Sequence, residues 1–150
     1  HLYDLNTTGL RFFTVYGPWG RPDMAYYIFT KKIISNQPIK VFNNGNMKRD
    51  FTYIDDIIYG IRRSIDKNYS CEIFNLGNNK SENLMDFIYA IESELGIKAE
   101  IDFKPMQPGD VKETYAEISK STKMLSYLPK TQIKYGIKNF INWYKVYYNI

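Results

Sequence analysis

The chain has 150 residues, of which 44% are hydrophobic and 24% charged, and its formal net charge is +4. This length and balance fit one compact domain with its own core and exclude a chain that is disordered throughout. Basic residues occur singly or in pairs among acidic ones, which argues against a nucleic-acid-binding face. With one histidine, His1, and one cysteine, Cys71, neither an internal disulfide nor a zinc or histidine-based catalytic site is expected.

Strand and helix patterns alternate along the chain. β-Branched and aromatic runs predict strands at residues 8–15, 39–42, 51–54, 72–76 and 99–103, and apolar residues at helical spacing predict helices at residues 24–36, 57–65, 82–95, 119–125 and 132–148. Asp23, Asp55 or Asp56, and Ser81 are predicted N-caps, and Gly96 is a predicted helix stop. This alternation indicates an α/β fold with parallel strand pairs.

Two further features of the sequence concern its overall setting. The predicted strands are too few for a sheet that is covered on both faces, and residues 1–5 resemble the tail of a helix, so we expect the later part of a larger protein. No stretch has the apolar length of a membrane span, and a cytoplasmic location without membrane contact is expected. Cys71 lies at the edge of an apolar strand, where a buried, inert thiol is expected.

The stretch GNMKRDFTYIDD contains the first candidate binding residue, Arg49. A guanidinium that follows a Gly-Asn turn can bind two phosphate oxygens, although pairing with a neighbouring aspartate such as Asp50 or Asp55 or Asp56 is the alternative. Phe42, seven residues earlier, favours a nucleotide, because stacking of a base on an aromatic ring is worth about 1–3 kcal/mol in single-strand binders. A core position is the alternative for Phe42.

Two loops contain further candidates. Arg21 lies in GPWGRPD, where two prolines and two glycines predict a defined path, and its alternative is a solvent-facing pair with Asp23. Asp110 lies in QPGDV, a tight turn that can present a carboxylate to a ribose diol, although by itself it is only a turn signal. From the residues alone, the sequence supports an anion or nucleotide site and no complete reaction machinery.

Several motifs carry a resemblance to a known family. GLRFFTVYGPWGRPDMA, KRDFTYIDDI, FNLGN, QPGDV and TYAEISK resemble the NAD-dependent nucleotide-sugar epimerases of the extended short-chain dehydrogenase/reductase family, and the UDP-glucuronate 4-epimerases most closely. The resemblance implies the C-terminal part of such an α/β protein. Residues 1–18 and 55–78 would complete a Rossmann sheet, and residues 19–54 and 79–150 would form a small α/β substrate-binding domain.

The resemblance also implies roles for the candidate residues. Arg49 would bind the pyrophosphate of a UDP-sugar, Phe42 would pack beside the uracil, and Asp110 would approach the ribose hydroxyls. Thr14 and Arg21 occupy positions suited to the carboxylate of a uronic acid, and a hydroxyl and a guanidinium are good partners for that group.

The cofactor implied by the resemblance is NAD, with Phe12 and Phe13 near its nicotinamide. The family's catalytic residues, a Ser or Thr and a Tyr-x-x-x-Lys pair, belong to a first half that precedes residue 1, so no catalytic residue is expected here and the chain alone is expected to be inactive. The implied reaction removes and returns a hydride at sugar C4, in a protein expected to be a homodimer. The alternatives are a sugar-nucleotide 4,6-dehydratase, a UDP-hexose 4-epimerase and a non-catalytic nucleotide-sugar-binding module.

Overall fold

The computed structural model describes residues 3–150 and confirms the α/β class. The strands are β1 (Thr7–Phe12), β2 (Thr14–Tyr16), β3 (Ile39–Val41), β4 (Lys48–Arg49), β5 (Phe51–Tyr53), β6 (Cys71–Leu76), β7 (Glu82–Asn83) and β8 (Ile101–Phe103). The α-helices are α1 (Ala25–Ile34), α2 (Ile54–Lys67), α3 (Leu84–Leu95), α4 (Ser119–Leu125) and α5 (Ile133–Tyr148), and a 3₁₀ helix at Phe42–Gly45 follows β3.

The strands form four pairs. The pairs β1–β6, β2–β5 and β3–β8 are parallel, as predicted, and β4–β7 is antiparallel. The predicted strand at residues 8–15 divides at Phe13, because its two halves pair with different strands. The backbone N–H of Phe13 still donates to Leu76 at 3.4 Å, whereas that of Thr14 donates to Asp50 at 3.1 Å. The chain therefore passes from one strand pair to the next at the positions predicted to meet ligand.

The predicted side-chain N-caps are wrong. Helix α1 starts without a side-chain cap, and Asp23 instead pairs with Arg21. Ser81 lies before the short strand β7, which separates it from α3. Gly96 does end α3, in the left-handed conformation with φ 70° that a glycine adopts at low cost.

Asp55 and Asp56 lie within the first turn of α2 rather than before it. Their charges favour that position, because the N-terminus of a helix carries a partial positive charge. Asp56 also accepts hydrogen bonds from the backbone N–H groups of Lys130 and Thr131, each at 3.1 Å. This carboxylate therefore ties the start of α2 to the segment that leads into α5.

Two hydrophobic cores fill the described part of the chain. The first packs α1, α3 and α5 against β2, β3 and β5, with Tyr16 at its centre and Phe51 stacked on Phe87 at 4.0 Å. The second packs α2 and α4 against β1 and β6, and it includes Ala116, Ile118 and Tyr127. The division into a Rossmann part and a substrate part stays a prediction; the second core takes in residues that the prediction assigned to the substrate part, and β2 pairs with β5 across the predicted boundary.

Two smaller predictions, a buried Cys71 and a helix tail at residues 1–5, differ from the structure. Cys71 is exposed rather than buried, because it begins β6 at the surface. Residues 3–5 are not helical, while His1 and Leu2 lie outside the described residues. Among residues 3–150, none of the helices is long and apolar enough to cross a bilayer.

Candidate functional site

Four of the five predicted substrate-binding residues meet at one cavity of about 400 Å³. Thr14 comes from β2, Phe42 from the turn after β3, Arg49 from β4 and Asp110 from the loop after β8. Aromatic and aliphatic side chains form most of the remaining wall, and Lys32 and Lys40, with Asp23, add charge. We call this the Arg49 cavity. An apolar cavity with a few convergent charged groups is the usual form of a small-molecule site.

Arg49 is held in a fixed orientation. Its Nη1 donates to the carbonyl oxygens of Lys48 and Lys112 at 2.8 and 3.3 Å, and its Nη2 donates to Asp110 Oδ1 at 2.7 Å. The predicted alternative partners, Asp50, Asp55 and Asp56, are therefore wrong. A guanidinium carries five N–H donors, so these three bonds leave two for a bidentate contact with an anion.

The QPGD turn fixes Asp110. The backbone N–H of Asp110 donates to the carbonyl of Gln107 at 3.2 Å, and Gly109 has φ 81°. Proline at the second position and a positive φ at the third are typical of a type II turn. Because Asp110 Oδ1 also accepts the backbone N–H of Val111 at 2.8 Å, the turn presents this carboxylate in one defined position beside Arg49.

The buried carboxylate of Asp50, the residue after Arg49, connects β4 to two other segments of the chain. Asp50 has no exposed surface, and its oxygens accept hydrogen bonds from Thr52 Oγ1 at 3.0 Å and from the backbone N–H groups of Asn78 and Ala116 at 2.6 and 3.1 Å. Sequence reasoning missed this role. The alternation of side chains along a strand could have indicated it: if Arg49 faces a ligand site, its neighbour Asp50 faces the opposite side, towards the protein interior.

The cofactor candidates lie elsewhere. Phe12 and Phe13 line a second cavity of about 400 Å³, together with Arg21 and Trp19. We call this the Phe13 cavity. The structure thus groups Arg21 with the predicted cofactor residues and separates it from Thr14 in the Arg49 cavity.

Arg21 makes the predicted alternative contact, with Asp23. Its Nε donates to Asp23 Oδ1 at 3.1 Å, and its Nη2 contacts the second carboxylate oxygen. This hydrogen-bonded pairing lowers the pKa of the Asp23 carboxyl below its usual value. Because Asp23 lines the Arg49 cavity while Arg21 lines the Phe13 cavity, the pair lies where the two cavities approach each other.

The loop that carries Arg21 has a constrained backbone. Trp19 has φ 60°, a conformation that costs a non-glycine residue about 1–2 kcal/mol. Its indole packs against Trp143 and Tyr147 of α5, with ring centroids 5.3 and 5.4 Å apart. A side chain at Gly20 would collide with the hydroxyl of Tyr26. These contacts select one loop path, as the prolines and glycines predicted.

The tyrosines near these cavities do not have the properties of a catalytic base. Burial raises the pKa of Tyr26 to about 12, and it also raises the pKa of Tyr16 above the ordinary value of 10.0. Both phenols line the Phe13 cavity and stay protonated at neutral pH. Among residues 3–150, no cluster of three or more histidine, cysteine or acidic side chains is arranged to hold a metal.

Tyr27 and Lys31 show the spacing of a Tyr-x-x-x-Lys pair, but Tyr27 is buried and Lys31 is exposed. Tyr27 belongs to the first core, and its hydroxyl bonds that of Tyr148. Burial raises the pKa of Tyr27 as well. Neither residue lines the Arg49 cavity or the Phe13 cavity, and Tyr27 packs α1 against α5.

The parallel strand pairs and the helices between them define an α/β fold, and comparison with known proteins specifies its family. Residues 1–77 match the NAD dependent epimerase/dehydratase family. The chain belongs to this family, which confirms the resemblance recognised in the sequence.

Relatives extend the match over nearly the whole chain. A Methanocaldococcus jannaschii protein is 56% identical over 144 residues, which cover 96% of this chain and 44% of that protein. UDP-glucuronate 4-epimerase 4 of Arabidopsis thaliana is 42% identical over 166 aligned positions, which cover 99% of this chain and 38% of the relative. This chain therefore spans about half the length, or less, of the curated relatives it matches.

A solved structure shows the same fold. The UDP-glucuronic acid 4-epimerase of Bacillus cereus, crystallised with UDP-glucuronic acid and NAD, superposes with a TM-score of 0.86 at 37% identity. The match covers 93% of this chain and 45% of that one. The described residues therefore adopt an epimerase-type arrangement of strands and helices.

Proposed function

We propose that this chain forms the substrate-binding part of an NAD-dependent UDP-glucuronate/UDP-galacturonate 4-epimerase. The observation that carries the proposal is the convergence of Thr14, Phe42, Arg49 and Asp110 on one cavity. These residues come from four separate segments, and each has a chemistry suited to a different part of a UDP-sugar. The similarity to a UDP-glucuronate 4-epimerase of Arabidopsis supports the choice of substrate class.

The uridine diphosphate would occupy the Arg49 cavity. The ring of Phe42 offers a stacking surface to the uracil, and the Asp110 carboxylate accepts hydrogen bonds from the ribose hydroxyls. The two N–H donors of Arg49 that remain would bind the diphosphate. Because Arg49 and Asp110 are already paired at 2.7 Å, little reorganisation is needed when the ligand binds.

The uronic acid would extend towards the Phe13 cavity. Thr14 lines the Arg49 cavity, and Arg21 reaches the neighbouring cavity through a loop that Trp19 holds in place. The sugar carboxylate would replace Asp23 as the partner of Arg21. A 4-keto uronate is a β-keto acid and can lose carbon dioxide, so a second role of Thr14 and Arg21 would be to hold the carboxylate in an orientation that suppresses this loss.

The wall of the Phe13 cavity fits one face of an NAD nicotinamide. Phe12 and Phe13 offer flat apolar surface, and Val15 and Ile57 continue it. When bound, NAD supplies reversible hydride transfer at the sugar C4. The residues of this chain would position the ring and exclude water, and we assign no catalytic base to any of them. We expect the chain by itself to be inactive, and its cytoplasmic location and the homodimer stay predictions.

Calorimetry with purified protein tests the proposal. We expect UDP and UDP-glucuronate to bind the 150-residue chain, and Arg49→Gln to weaken UDP binding by at least about tenfold, because a charge-assisted contact is worth about 1.5–3 kcal/mol. Arg62→Gln is the matched control, because Arg62 lies on α2 and pairs with Asp66 at the surface. Absence of UDP binding to the unaltered chain, or equal binding by the Arg49 variant, would contradict the proposal.

A further inference from the structure

Lys40 occupies an unusual position on the wall of the Arg49 cavity. It lies at the centre of β3, between Ile39 and Val41, which are both fully buried in the first core. Strand alternation turns Lys40 to the opposite face, and its side chain lines the same cavity as Phe42. The fold therefore fixes the backbone of this lysine and leaves its side chain in the cavity.

The ammonium group of Lys40 makes no ion pair or side-chain hydrogen bond among residues 3–150. Asp102 is the residue opposite Lys40 on β8, but it pairs with Lys104 at 2.9 Å. The other lysine of the cavity, Lys32, donates to the carbonyl of Pro38 at 3.2 Å. Lys40 therefore keeps all three of its donors for a ligand, whereas Lys32 has one of its three donors engaged.

The two acidic side chains of the cavity are also engaged. Asp110 accepts from Arg49, and Asp23 accepts from Arg21. Arg49 belongs to the segment that is bonded to residues 110–112, whereas Lys40 belongs to β3 and lies two residues before Phe42. Arg49 and its partner Asp110 therefore form one part of the cavity wall, where the diphosphate would bind. Lys40 lies on the segment that carries Phe42, where the base would bind.

We propose that Lys40 selects the nucleobase by donating a hydrogen bond to a ring carbonyl oxygen. The proposal rests on the function proposed above and adds a specificity-determining residue to it. Residues two apart on a strand are separated by about 6–7 Å, which places the Lys40 side chain beside the edge of a base stacked on Phe42. An ammonium has three donors and no acceptor. Both bases carry a carbonyl at C2, so the selection requires a contact at C4, where uracil presents a carbonyl oxygen and cytosine presents an amino group.

A different role predicts a different measurement. If Lys40 acted as a point charge on the diphosphate, every nucleoside diphosphate would depend on it equally. If it selects the base, UDP depends on it and CDP does not. The ratio of the two affinities distinguishes these roles, because the two ligands share their ribose and diphosphate.

The experiment measures UDP and CDP binding by calorimetry to four versions of the 150-residue chain. The unaltered chain is expected to prefer UDP by about tenfold, and Lys40→Gln to reduce the preference to about twofold or less, because an amide can donate to uracil or accept from cytosine. Lys32→Gln removes a charge from the same cavity and should weaken both ligands equally. Lys31→Gln alters a lysine outside the cavity and should bind as the unaltered chain does.

The other possible results contradict either the proposed function or the role of Lys40. Binding of neither nucleotide to the unaltered chain contradicts the proposed function, and the role of Lys40 with it. Equal binding of UDP and CDP leaves the proposed function standing and contradicts selection of the base. An unchanged UDP preference in Lys40→Gln, or an equal loss for both ligands, also contradicts the role of Lys40.

Discussion

The Arg49 cavity and the loop at residues 17–23 each contain an arginine paired with an aspartate, but the two pairs are in opposite physical situations. The side chains of Arg49 and Asp110 are 17% and 30% exposed, and two backbone carbonyls also hold the guanidinium. Those of Arg21 and Asp23 are 76% and 62% exposed. A partly buried, multiply bonded pair is oriented before ligand binds, whereas an exposed pair contributes little and exchanges partners readily.

From this difference we propose different tasks for the two regions. The Arg49 cavity has the rigidity that is expected of a site for the constant part of a ligand. The loop has a fixed backbone, because Trp19 packs on α5, but it carries an arginine whose partner can be replaced. The loop is therefore suited to the variable part of a ligand.

Replacing Asp50 should lower the stability of the fold more than any other change considered, because Asp50 hydrogen-bonds the segments behind the Arg49 cavity. Asp50→Asn keeps the shape of the side chain but offers one acceptor oxygen in place of two, so the donor that faces Oδ2, the Ala116 N–H, loses its partner. A buried donor without a partner lowers the free energy of unfolding by about 3 kcal/mol. Urea denaturation should show a lower midpoint with an unchanged slope.

The control for this variant is Asp66→Asn, which changes an exposed pair on α2. Its unfolding midpoint should stay close to that of the unaltered chain. An Asp50→Asn midpoint as high as that of the control would show that Asp50 does not support the cavity.

Alkaline pH should weaken the packing beneath the loop, with a smaller effect. Burial raises the pKa of Tyr26 from 10.0 to about 12, and its hydroxyl lies against Gly20. A group whose pKa is higher in the folded state contributes stability that is complete below pH 10 and is lost as the pH rises towards 12. The midpoint of urea unfolding should therefore fall between pH 10 and pH 12.

Tyr26→Phe should reduce this dependence without abolishing it, because burial also raises the pKa of Tyr16 and Tyr27. Tyr89→Phe is the matched control, since Tyr89 is 51% exposed. Parallel pH profiles for all three chains would contradict the assignment of the effect to Tyr26.

Truncating Tyr147 should loosen the loop at a lower cost. Tyr147→Ala removes one of the two rings that hold Trp19, and an aromatic pair is worth about 0.5–1.5 kcal/mol. Trp19 and Trp143 are the chain's two tryptophans, and Tyr147 contacts both, with ring centroids 5.4 and 5.2 Å apart, so the fluorescence spectrum reports the packing of this three-ring cluster. We expect a shift in emission for Tyr147→Ala and none for Val146→Ala, which truncates an exposed neighbour on α5. Identical spectra would contradict a role for Tyr147 in holding Trp19.

The sequence predicted most elements of the fold because apolar spacing and breaker residues are local signals. It failed at the caps, because Asp23 and Asp56 have partners that only the tertiary structure supplies. It also failed to divide the strand at residues 8–15, since nothing local to Phe13 shows that the pairing partner changes there.

In the candidate site, too, the sequence did not predict the contacts between residues that are far apart in the chain. Local sequence features made Arg49, Phe42 and Asp110 candidates, the family resemblance implied a role for each, and the structure brings them to one cavity. The chain's residue types did not reveal that Arg49 pairs with Asp110, which lies 61 residues away. Asp50 was considered only as an alternative partner of Arg49. Strand alternation indicates the face on which Asp50 lies, but the three donors that bind it come from the tertiary structure.

Asp23→Asn should have the smallest effect on folding, and it tests whether Arg21 and Arg49 bind different parts of the ligand. The variant weakens the exposed pair, so the unfolding midpoint should not change measurably. Arg21 would then face less competition for an incoming carboxylate. UDP-glucuronate should bind about two- to threefold more tightly while UDP binding stays constant, because UDP has no carboxylate. Equal changes for both ligands would place the effect of Asp23 in the Arg49 cavity and contradict the assignment of the loop to the sugar.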